Sequence, residues 1–235
     1  MNRKPVTIVV IDSGIDVSKS DLAKYVKKST GFKVNDEGYI VEDQSLKPRH
    51  EHGTAIAMII RDIFENVEFI SVNILNERLT TDGRVLIHAF REALLYKADI
   101  IHLSLGTTRW RYKFPLKRLV KEAAKNDVIV VSAANNQGIK SYPAFINGVV
   151  GVKGNMALNK SEFSYNDGFF YAPMETKDIV GINELQHGDR AIGNSMAAAY
   201  ITGHIAMKYV LKGTNGVEDF IEKIKLLSVK KGVLK

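Results

Sequence analysis

The segment that decides the fold is VTIVVIDSG, residues 6–14. Its first six residues form a continuous apolar and largely β-branched run, which is typical of a strand buried on both faces of a parallel sheet. Similar runs follow at residues 67–75 (VEFISVNIL), 100–105 (IIHLSL) and 128–133 (VIVVSA). Each of them predicts a further buried strand.

The segments between these strands have the periodicity of helices. They are residues 54–64, 85–96 and 116–125. Strands that alternate with helices indicate βαβ units and a parallel sheet with helices on both faces. The first half of the chain therefore predicts an α/β fold.

The pattern changes at about Gly138, where short predicted strands and turns replace the long apolar runs. Two predicted helices follow, at residues 196–211 and 217–227. The sequence contains no internal repeat, low-complexity tract or linker. We therefore expect residues 1–235 to form a single domain.

Composition excludes several kinds of site. The chain has 235 residues, of which 45% are hydrophobic and 25% are charged, and it contains no cysteine. Disulfide scaffolds, thiol catalysis and cysteine–zinc sites are thus ruled out. The apolar runs are shorter than a membrane span, and the first residues lack the features of a secretory signal. These features predict a cytoplasmic protein.

The formal net charge of +7 raises the question of an anionic partner. Most lysines recur at helical spacing among glutamates, as in KRLVKEAAK and EKIKLL, which favours solvated helix faces over a binding surface. The cluster RWRYK, residues 109–113, differs because it combines three cations with two aromatic rings. It is interpreted either as an exposed loop with one packed tryptophan or as a basic, aromatic rim for an acidic peptide.

Polar residues follow the predicted strands at the edge where parallel sheets bind ligands. They are Asp12, Ser104 and the pair Asn135–Asn136, while His52 opens the next predicted helix. Each has an ordinary structural interpretation by itself: a turn, a strand-end hydroxyl or a polar helix start. Ser195, in GNSMAAAYITG (residues 193–203), could likewise be a small residue at a tightly packed helix entrance.

Together these residues supply a complete set of groups for nucleophilic catalysis. A hydroxyl nucleophile needs a base, the base needs a carboxylate, and the developing oxyanion needs fixed hydrogen-bond donors. Ser195, His52, Asp12 and Asn136 are the matching side chains. The sequence therefore predicts a hydrolytic site at this edge.

The motifs VVIDSGID, HGTAIAMI, HLSLG, VVSAANNQG, YAP and GNSMAAA occur in this order between residue 6 and about residue 205. In this respect the chain resembles the subtilisin-like serine proteases. The resemblance implies a three-layer α/β/α fold with a mostly parallel central sheet. It also implies that Ser195 attacks the scissile carbonyl, His52 is the general base and then the general acid, and Asp12 orients His52. The Asn136 side chain and the Ser195 N–H would bind the oxyanion.

The same resemblance implies a set of substrate-binding residues. Ser104, Leu105 and Gly106 would pair with the substrate backbone as an added strand. Ala133, Ala134 and Asn135 would wall the pocket for the residue before the cut, and Ser141 lies near its expected floor. None of these positions is acidic, so nothing there favours a basic residue before the cut.

The chain departs from the family pattern at several positions. Asn194 stands where threonine is usual before the nucleophile, Ala199 replaces a common proline, and Asn135 replaces a glycine. The helix after His52 runs almost directly into the next strand, without the family's calcium-binding insertion. We therefore expect no metal at that position, and no cofactor.

These observations favour a serine endopeptidase of restricted specificity, one that removes a leader from a precursor peptide. Because the chain begins at its first core strand, we expect no propeptide, which would fit a cytoplasmic enzyme with few targets; the alternative is a mature domain from which a propeptide has been removed. We weigh three alternatives: a catalytically silent peptide-binding module on a protease fold, an esterase with the same triad, and a nucleic-acid binder. The silent binding module is disfavoured because all four catalytic side chains are present. The nucleic-acid binder is disfavoured because the sequence contains no recognition motif.

Overall fold

The computed structural model describes residues 4–45, 47–188, 191–209 and 216–228. Within these ranges, nine strands form one sheet. The strands are β1 Val6–Asp12, β2 Val26–Val34, β3 Ile40–Glu42, β4 Val67–Asn73, β5 Ile100–Leu103, β6 Ile129–Ala133, β7 Val150–Gly154, β8 Ser164–Asn166 and β9 Phe169–Ala172. The helices are α1 His52–Ile63, α2 Gly83–Leu95, α3 Lys113–Lys125, α4 Asn194–Tyr209 and α5 Val217–Leu226. Short 3₁₀ turns lie at Leu22–Lys24, Trp110–Tyr112 and Ile182–Glu184.

The sheet has the order β3-β2-β4-β1-β5-β6-β7-β9-β8. Strand β1 lies near its centre and pairs in parallel with both β4 and β5. Antiparallel pairing in the described sheet is confined to the outermost strands, β3 and β8. This confirms the predicted α/β class with a mostly parallel sheet. The carboxyl ends of β1, β5 and β6 consequently meet at one edge.

Two apolar cores lie on opposite faces of the sheet. One packs α1, α4 and α5 against alternate residues such as Ile8 and Ile100. The other packs α2 and α3 against the intervening residues such as Val9 and Ile101. Because both faces are covered, β1 is buried at all seven positions, which accounts for its uninterrupted apolar sequence.

Strands β2 and β3 are absent from the sequence-based prediction. The segment VKKSTGFKV has exposed lysines before and after three buried residues, one of which is a glycine, so it lacks the apolar run that marked the central strands. Gly31 is needed in β2, because a Cβ there would lie 2.8 Å from the carbonyl oxygen of Asn73 on the neighbouring strand.

The predicted element boundaries are otherwise close. Helix α1 begins at His52, two residues earlier than expected, and β4 ends at Asn73. Helix α4 runs to Tyr209, and the predicted end of that helix at residue 211 lies outside the described residues. None of the helices in the described ranges is long and apolar enough to cross a lipid bilayer.

The connection from α1 to β4 consists of residues 64–66 alone. The two elements follow each other directly, as the sequence suggested. The absence of calcium at residues 64–66 stays a prediction.

Candidate active site

Asp12 is the last residue of β1 and is fully buried at the carboxyl edge of the sheet. Its Oδ1 lies 2.8 Å from Nδ1 of His52, and its Oδ2 lies 3.0 Å from the same nitrogen. The Ser13 N–H donates to Oδ1 over 2.7 Å, and the Ser104 hydroxyl donates to Oδ2. A carboxylate that accepts this many hydrogen bonds is held in one orientation.

His52 is the first residue of α1, and its side chain is 14% exposed. The start of the helix is fastened to β1 by Ser13, whose Oγ accepts the Gly53 N–H over 3.0 Å. Gly53 is required for this approach, since a Cβ there would lie 2.4 Å from the Gly14 carbonyl oxygen and 3.1 Å from Asp12 Oδ1. The His-Gly pair in the sequence thus allows the helix to approach the buried carboxylate.

The two partners shift each other's pKa in opposite directions. Burial by itself would lower the pKa of His52, but the charge and hydrogen bond of Asp12 outweigh it and raise the pKa above 6.5. Burial would raise the pKa of Asp12, but His52 and the Ser13 N–H outweigh it and lower the pKa below its usual value. Both shifts show that the site favours the charged forms, an imidazolium on His52 beside a carboxylate on Asp12.

Ser195 lies in the first turn of α4. Its Oγ donates to the carbonyl oxygen of Ser104 over 2.9 Å. Since the Ser104 hydroxyl also bonds Asp12, one residue of the strand end connects the serine with the Asp–His pair. Within the described part of the chain, the hydrogen bonds do not join Ser195 Oγ directly to His52.

Asn136 lies beside the start of α4. Its Oδ1 accepts the Asn194 N–H over 2.9 Å, which leaves the Nδ2 group free to donate, because no acceptor among the described residues binds it. Gly193 has a φ of +149°, and a Cβ there would lie 3.3 Å from both polar atoms of the Asn136 amide. The Ser195 N–H belongs to the first helical turn, where amides have no acceptor within the helix. Two donors are therefore available next to Ser195 Oγ.

Asn194 has a role that the sequence did not reveal. Its Nδ2 donates to the carbonyl oxygens of Ala134 at 3.0 Å and Asn135 at 3.3 Å. Its Oδ1 accepts the Gly154 N–H over 2.7 Å. The departure from the usual threonine thus fastens α4 to the ends of β6 and β7. An asparagine before a helix-start serine is the signal that could have suggested such a clamp, since Asn commonly bonds nearby backbone.

The predicted substrate-binding residues form two neighbouring segments. Residues 104–106 continue from β5, and residues 133–135 comprise the last residue of β6 and the two that follow it. Thr107 and Tyr142 exchange two backbone hydrogen bonds of 2.8 Å, and the buried Ser141 hydroxyl accepts the Asn135 N–H over 3.0 Å. The loop that contains Ser141 therefore contacts residues 133–135 and lies against Gly106, where an added Cβ would be 2.7 Å from the Tyr142 carbonyl oxygen.

The side-chain oxygen of Asn135 forms a hydrogen bond within the turn that follows β6. Its Oδ1 accepts the Gln137 N–H over 2.8 Å. Of the two polar side-chain atoms of Asn135, only Nδ2 is therefore available to the predicted pocket.

His102 is a second buried imidazole near the site. It lies on β5, two residues before Ser104, and its Nδ1 is 2.8 Å from the Thr202 hydroxyl of α4. Burial lowers the pKa of His102 to about 4, so this ring is neutral at physiological pH. The positive charge near Asp12 can thus reside on His52.

Comparisons with known proteins agree with this geometry. The model of the Subtilase family matches residues 3–213. The Major intracellular serine protease of Bacillus subtilis (strain 168) is 28% identical over 223 residues, which cover 87% of this chain and 68% of that protein. The Intracellular serine protease of Paenibacillus polymyxa is 26% identical over 237 residues, covering 92% and 70% respectively.

Two solved structures share the fold. A lanthipeptide protease superposes with a TM-score of 0.72 at 20% identity, covering 97% of this chain and 81% of its own. A cold adapted subtilisin-like serine proteinase gives a TM-score of 0.71 at 18% identity, covering 94% and 81%. At these identities the likeness establishes the fold.

Proposed function

Since the chain belongs to the subtilase family and is a serine endopeptidase, we propose that Asp12, His52 and Ser195 form its catalytic triad. The observation that carries the proposal is the buried Asp12–His52 pair, at 2.8 Å, connected through Ser104 to the hydroxyl of Ser195. We propose further that residues 1–235 are one peptidase domain.

The proton positions follow from the hydrogen bonds. His52 donates its Nδ1 proton to Asp12, which leaves the lone pair on Nε2 to accept a proton. Ser195 Oγ leaves the Ser104 carbonyl, gives its proton to Nε2 and attacks the substrate carbonyl carbon. His52 then protonates the leaving amine as the peptide bond breaks, and an acyl-enzyme remains until water hydrolyses it. Catalytic hydrogen bonds of this kind often tighten only when substrate binds.

The oxyanion of the tetrahedral intermediate would accept hydrogen bonds from Asn136 Nδ2 and the Ser195 N–H. Both are fixed before reaction, Asn136 by its bond to the Asn194 N–H and the serine amide by the helix start. Such donors stabilise the charge as it develops, at no cost in reorganisation.

Asn136→Ala is expected to lower kcat by about 10²- to 10³-fold, because it removes one oxyanion donor. KM should change much less, since the bond strengthens mainly in the transition state. Steady-state kinetics on a peptide substrate provides the measurement. Gln137→Ala, which truncates the exposed neighbouring side chain, is the matched control. Equal losses in both variants would contradict the assignment.

The rate should depend on pH through His52. The pKa of His52 is raised by Asp12, and the base must be neutral, so kcat/KM should rise with pH and reach half its maximum above pH 6.5. The measurement needs a substrate without titrating groups. A rate that stays constant from pH 8 down to about pH 4 would contradict a histidine base.

The substrate we propose is a precursor peptide whose acidic leader is removed. Three observations support this. The basic, aromatic cluster RWRYK follows residues 104–106, the predicted substrate-pairing segment. One structural relative is a lanthipeptide protease, and two sequence relatives are named intracellular proteases. The names of the sequence relatives also support a cytoplasmic location.

Two assays test these points. Incubation with a diverse peptide library, read by mass spectrometry, would show whether cleavage is confined to few sequences. Labelling with a fluorophosphonate separates an active enzyme from a silent binding module, because only an activated serine reacts.

A further inference from the structure

The positive charge of the chain is concentrated in one short segment. Seven of the 33 Lys and Arg residues lie in residues 109–125, together with one of the 26 Asp and Glu residues. This segment therefore carries a net charge of +6, against +7 for the whole chain. The rest of the chain is almost electrically neutral. The positive charge of residues 109–125 is therefore not part of an even distribution of charged side chains over the surface.

The structure places these charges on one surface. Helix α3 packs Leu116, Leu119, Val120 and Ala123 into the core. Its opposite face presents Lys117, Arg118 and Lys121, which share a stripe because Lys121 follows the other two by four and three residues. Arg109 and Arg111 extend the stripe toward the sheet edge. We call these five exposed cations the basic ridge: Arg109, Arg111, Lys117, Arg118 and Lys121.

No carboxylate in the described ranges lies within ion-pair distance of the basic ridge. Elsewhere the molecule neutralises its cations readily, as in Lys33–Asp43 at 3.0 Å and Lys160–Asp62 at 3.0 Å. Within the ridge, Arg111 is held over the Tyr112 ring and donates to its hydroxyl over 3.0 Å. Asp82 near Arg111 and Glu122 on α3 offset part of this charge, but the five cations form no ion pair among the described residues. They repel one another, which an acidic ligand would relieve.

Two large apolar side chains are exposed along the same surface. Trp110 is 74% exposed and Phe114 is 62% exposed. Of the two interpretations of RWRYK, the packed tryptophan is therefore wrong. Exposed aromatic rings among cations are common in surfaces that bind peptides.

The basic ridge is continuous with the proposed substrate edge. Leu105, Gly106, Thr107 and Arg109 line one cavity of about 230 Å³, together with Asp82, whose carboxylate is paired with Arg84 at 3.0 Å. A substrate strand that pairs antiparallel with residues 104–106 has its cleaved bond near Ser104 and its amino-terminal end toward Arg109. Residues well before the cut would thus reach the ridge.

We propose that the basic ridge is an exosite that binds an acidic segment on the amino-terminal side of the cleaved bond. The inference rests on the proposed endopeptidase function and adds a second point of recognition, distant from the scissile bond. From Lys113 to Lys125 the helix is about 18 Å long at 1.5 Å per residue. An extended peptide spans this with about six residues.

The test compares two synthetic peptides with the same cleaved sequence, taken from the best product of the library assay. One carries an amino-terminal extension of about eight alternating glutamate and serine residues, and the other has glutamine for glutamate. The ridge variant is K117Q/R118Q/K121Q, in which glutamine preserves helix propensity. The control variant K4Q/K27Q/K28Q removes the same charge from exposed lysines near the amino ends of β1 and β2.

We expect the ridge variant to raise KM for the acidic peptide about tenfold relative to the neutral peptide, with kcat within about twofold. The control variant should leave this ratio unchanged. Raising the salt concentration from about 0.05 M to about 0.5 M should reduce the wild-type preference for the acidic peptide. Moving the acidic block to the other side of the cut should abolish the preference.

Three outcomes would overturn the proposal: no wild-type preference for the acidic peptide, an equal effect of both variants, or an equal preference with the acidic block on either side. Ridge-dependent binding of duplex DNA or anionic vesicles, without any preference for the acidic peptide, would assign the surface to a different partner and would also overturn it. Failure of the endopeptidase function has a separate signature, since the wild-type enzyme would then cleave neither peptide.

Discussion

Replacing Ser195 with alanine is expected to lower kcat by about 10⁶-fold, the size of the loss that follows removal of the nucleophile in subtilisin. The reason is that no other group would remain to attack the carbonyl and form the acyl-enzyme. Active-site labelling by a fluorophosphonate should disappear in the same variant. Residual cleavage above the uncatalysed rate would come from the oxyanion donors and substrate binding.

The fold should tolerate this change. Ser195 Oγ makes one hydrogen bond, to the Ser104 carbonyl, so its removal should cost about 1 kcal/mol of the free energy of unfolding. A melting curve and circular dichroism would show that the loss of activity is chemical. Ser161→Ala, which alters an exposed serine whose hydroxyl bonds Asn159 and no residue of the proposed triad, should keep both labelling and kcat. If Ser195→Ala were labelled as strongly as the wild type, another nucleophile would have to be sought.

The central part of the fold could be predicted because its physical signals are local. A strand buried on both faces must be apolar throughout, as β1 is, and the ends of parallel strands must meet at one edge. Asp12, His52 and Asn136 could therefore be selected from their places at strand ends and helix starts. Strands β2 and β3 carry no such signal, because exposed lysines flank the three buried residues of β2 and β3 has no fully buried residue.

The details of the site depend on contacts between distant segments, which a single sequence does not reveal. The sequence shows Asn194 only as a departure from the family's usual threonine. In the fold, its side chain forms hydrogen bonds with the backbone at the ends of two strands. The sequence predicts that His102 belongs to a buried strand. Only the fold shows that it lies against Thr202, 100 positions away in the chain. The charges of α3 were interpreted as a solvated face because helical spacing alone does not show whether counter-charges lie nearby.

Asp12 is the second position at which a large effect is expected. Asp12→Ala should lower kcat by about 10⁴-fold, because nothing would then orient His52 or stabilise its positive charge. Asp12→Asn separates these two contributions. The Ser13 N–H donates to Oδ1 and cannot reverse its direction, so the amide oxygen of the introduced asparagine should occupy that place. This oxygen also faces His52 Nδ1 at 2.8 Å and accepts its hydrogen bond, while the amide nitrogen takes the place of Oδ2, 3.0 Å from Nδ1, where it forms no hydrogen bond with the ring.

The amide nitrogen of the introduced asparagine would then face the Ser104 hydroxyl, which can rotate to accept a hydrogen bond. We therefore expect Asp12→Asn to retain more activity than Asp12→Ala, since it loses the charge and keeps the geometry. Its pH profile supplies an independent readout. Without the carboxylate, burial dominates and the pKa of His52 falls below its wild-type value, so kcat/KM should reach half its maximum at a lower pH. An unchanged midpoint would show that the charge of Asp12 does not act on His52, because the shift requires the direct pair at 2.8 Å. Equal losses in the two variants would show instead that the orientation kept by Asp12→Asn contributes nothing to the rate.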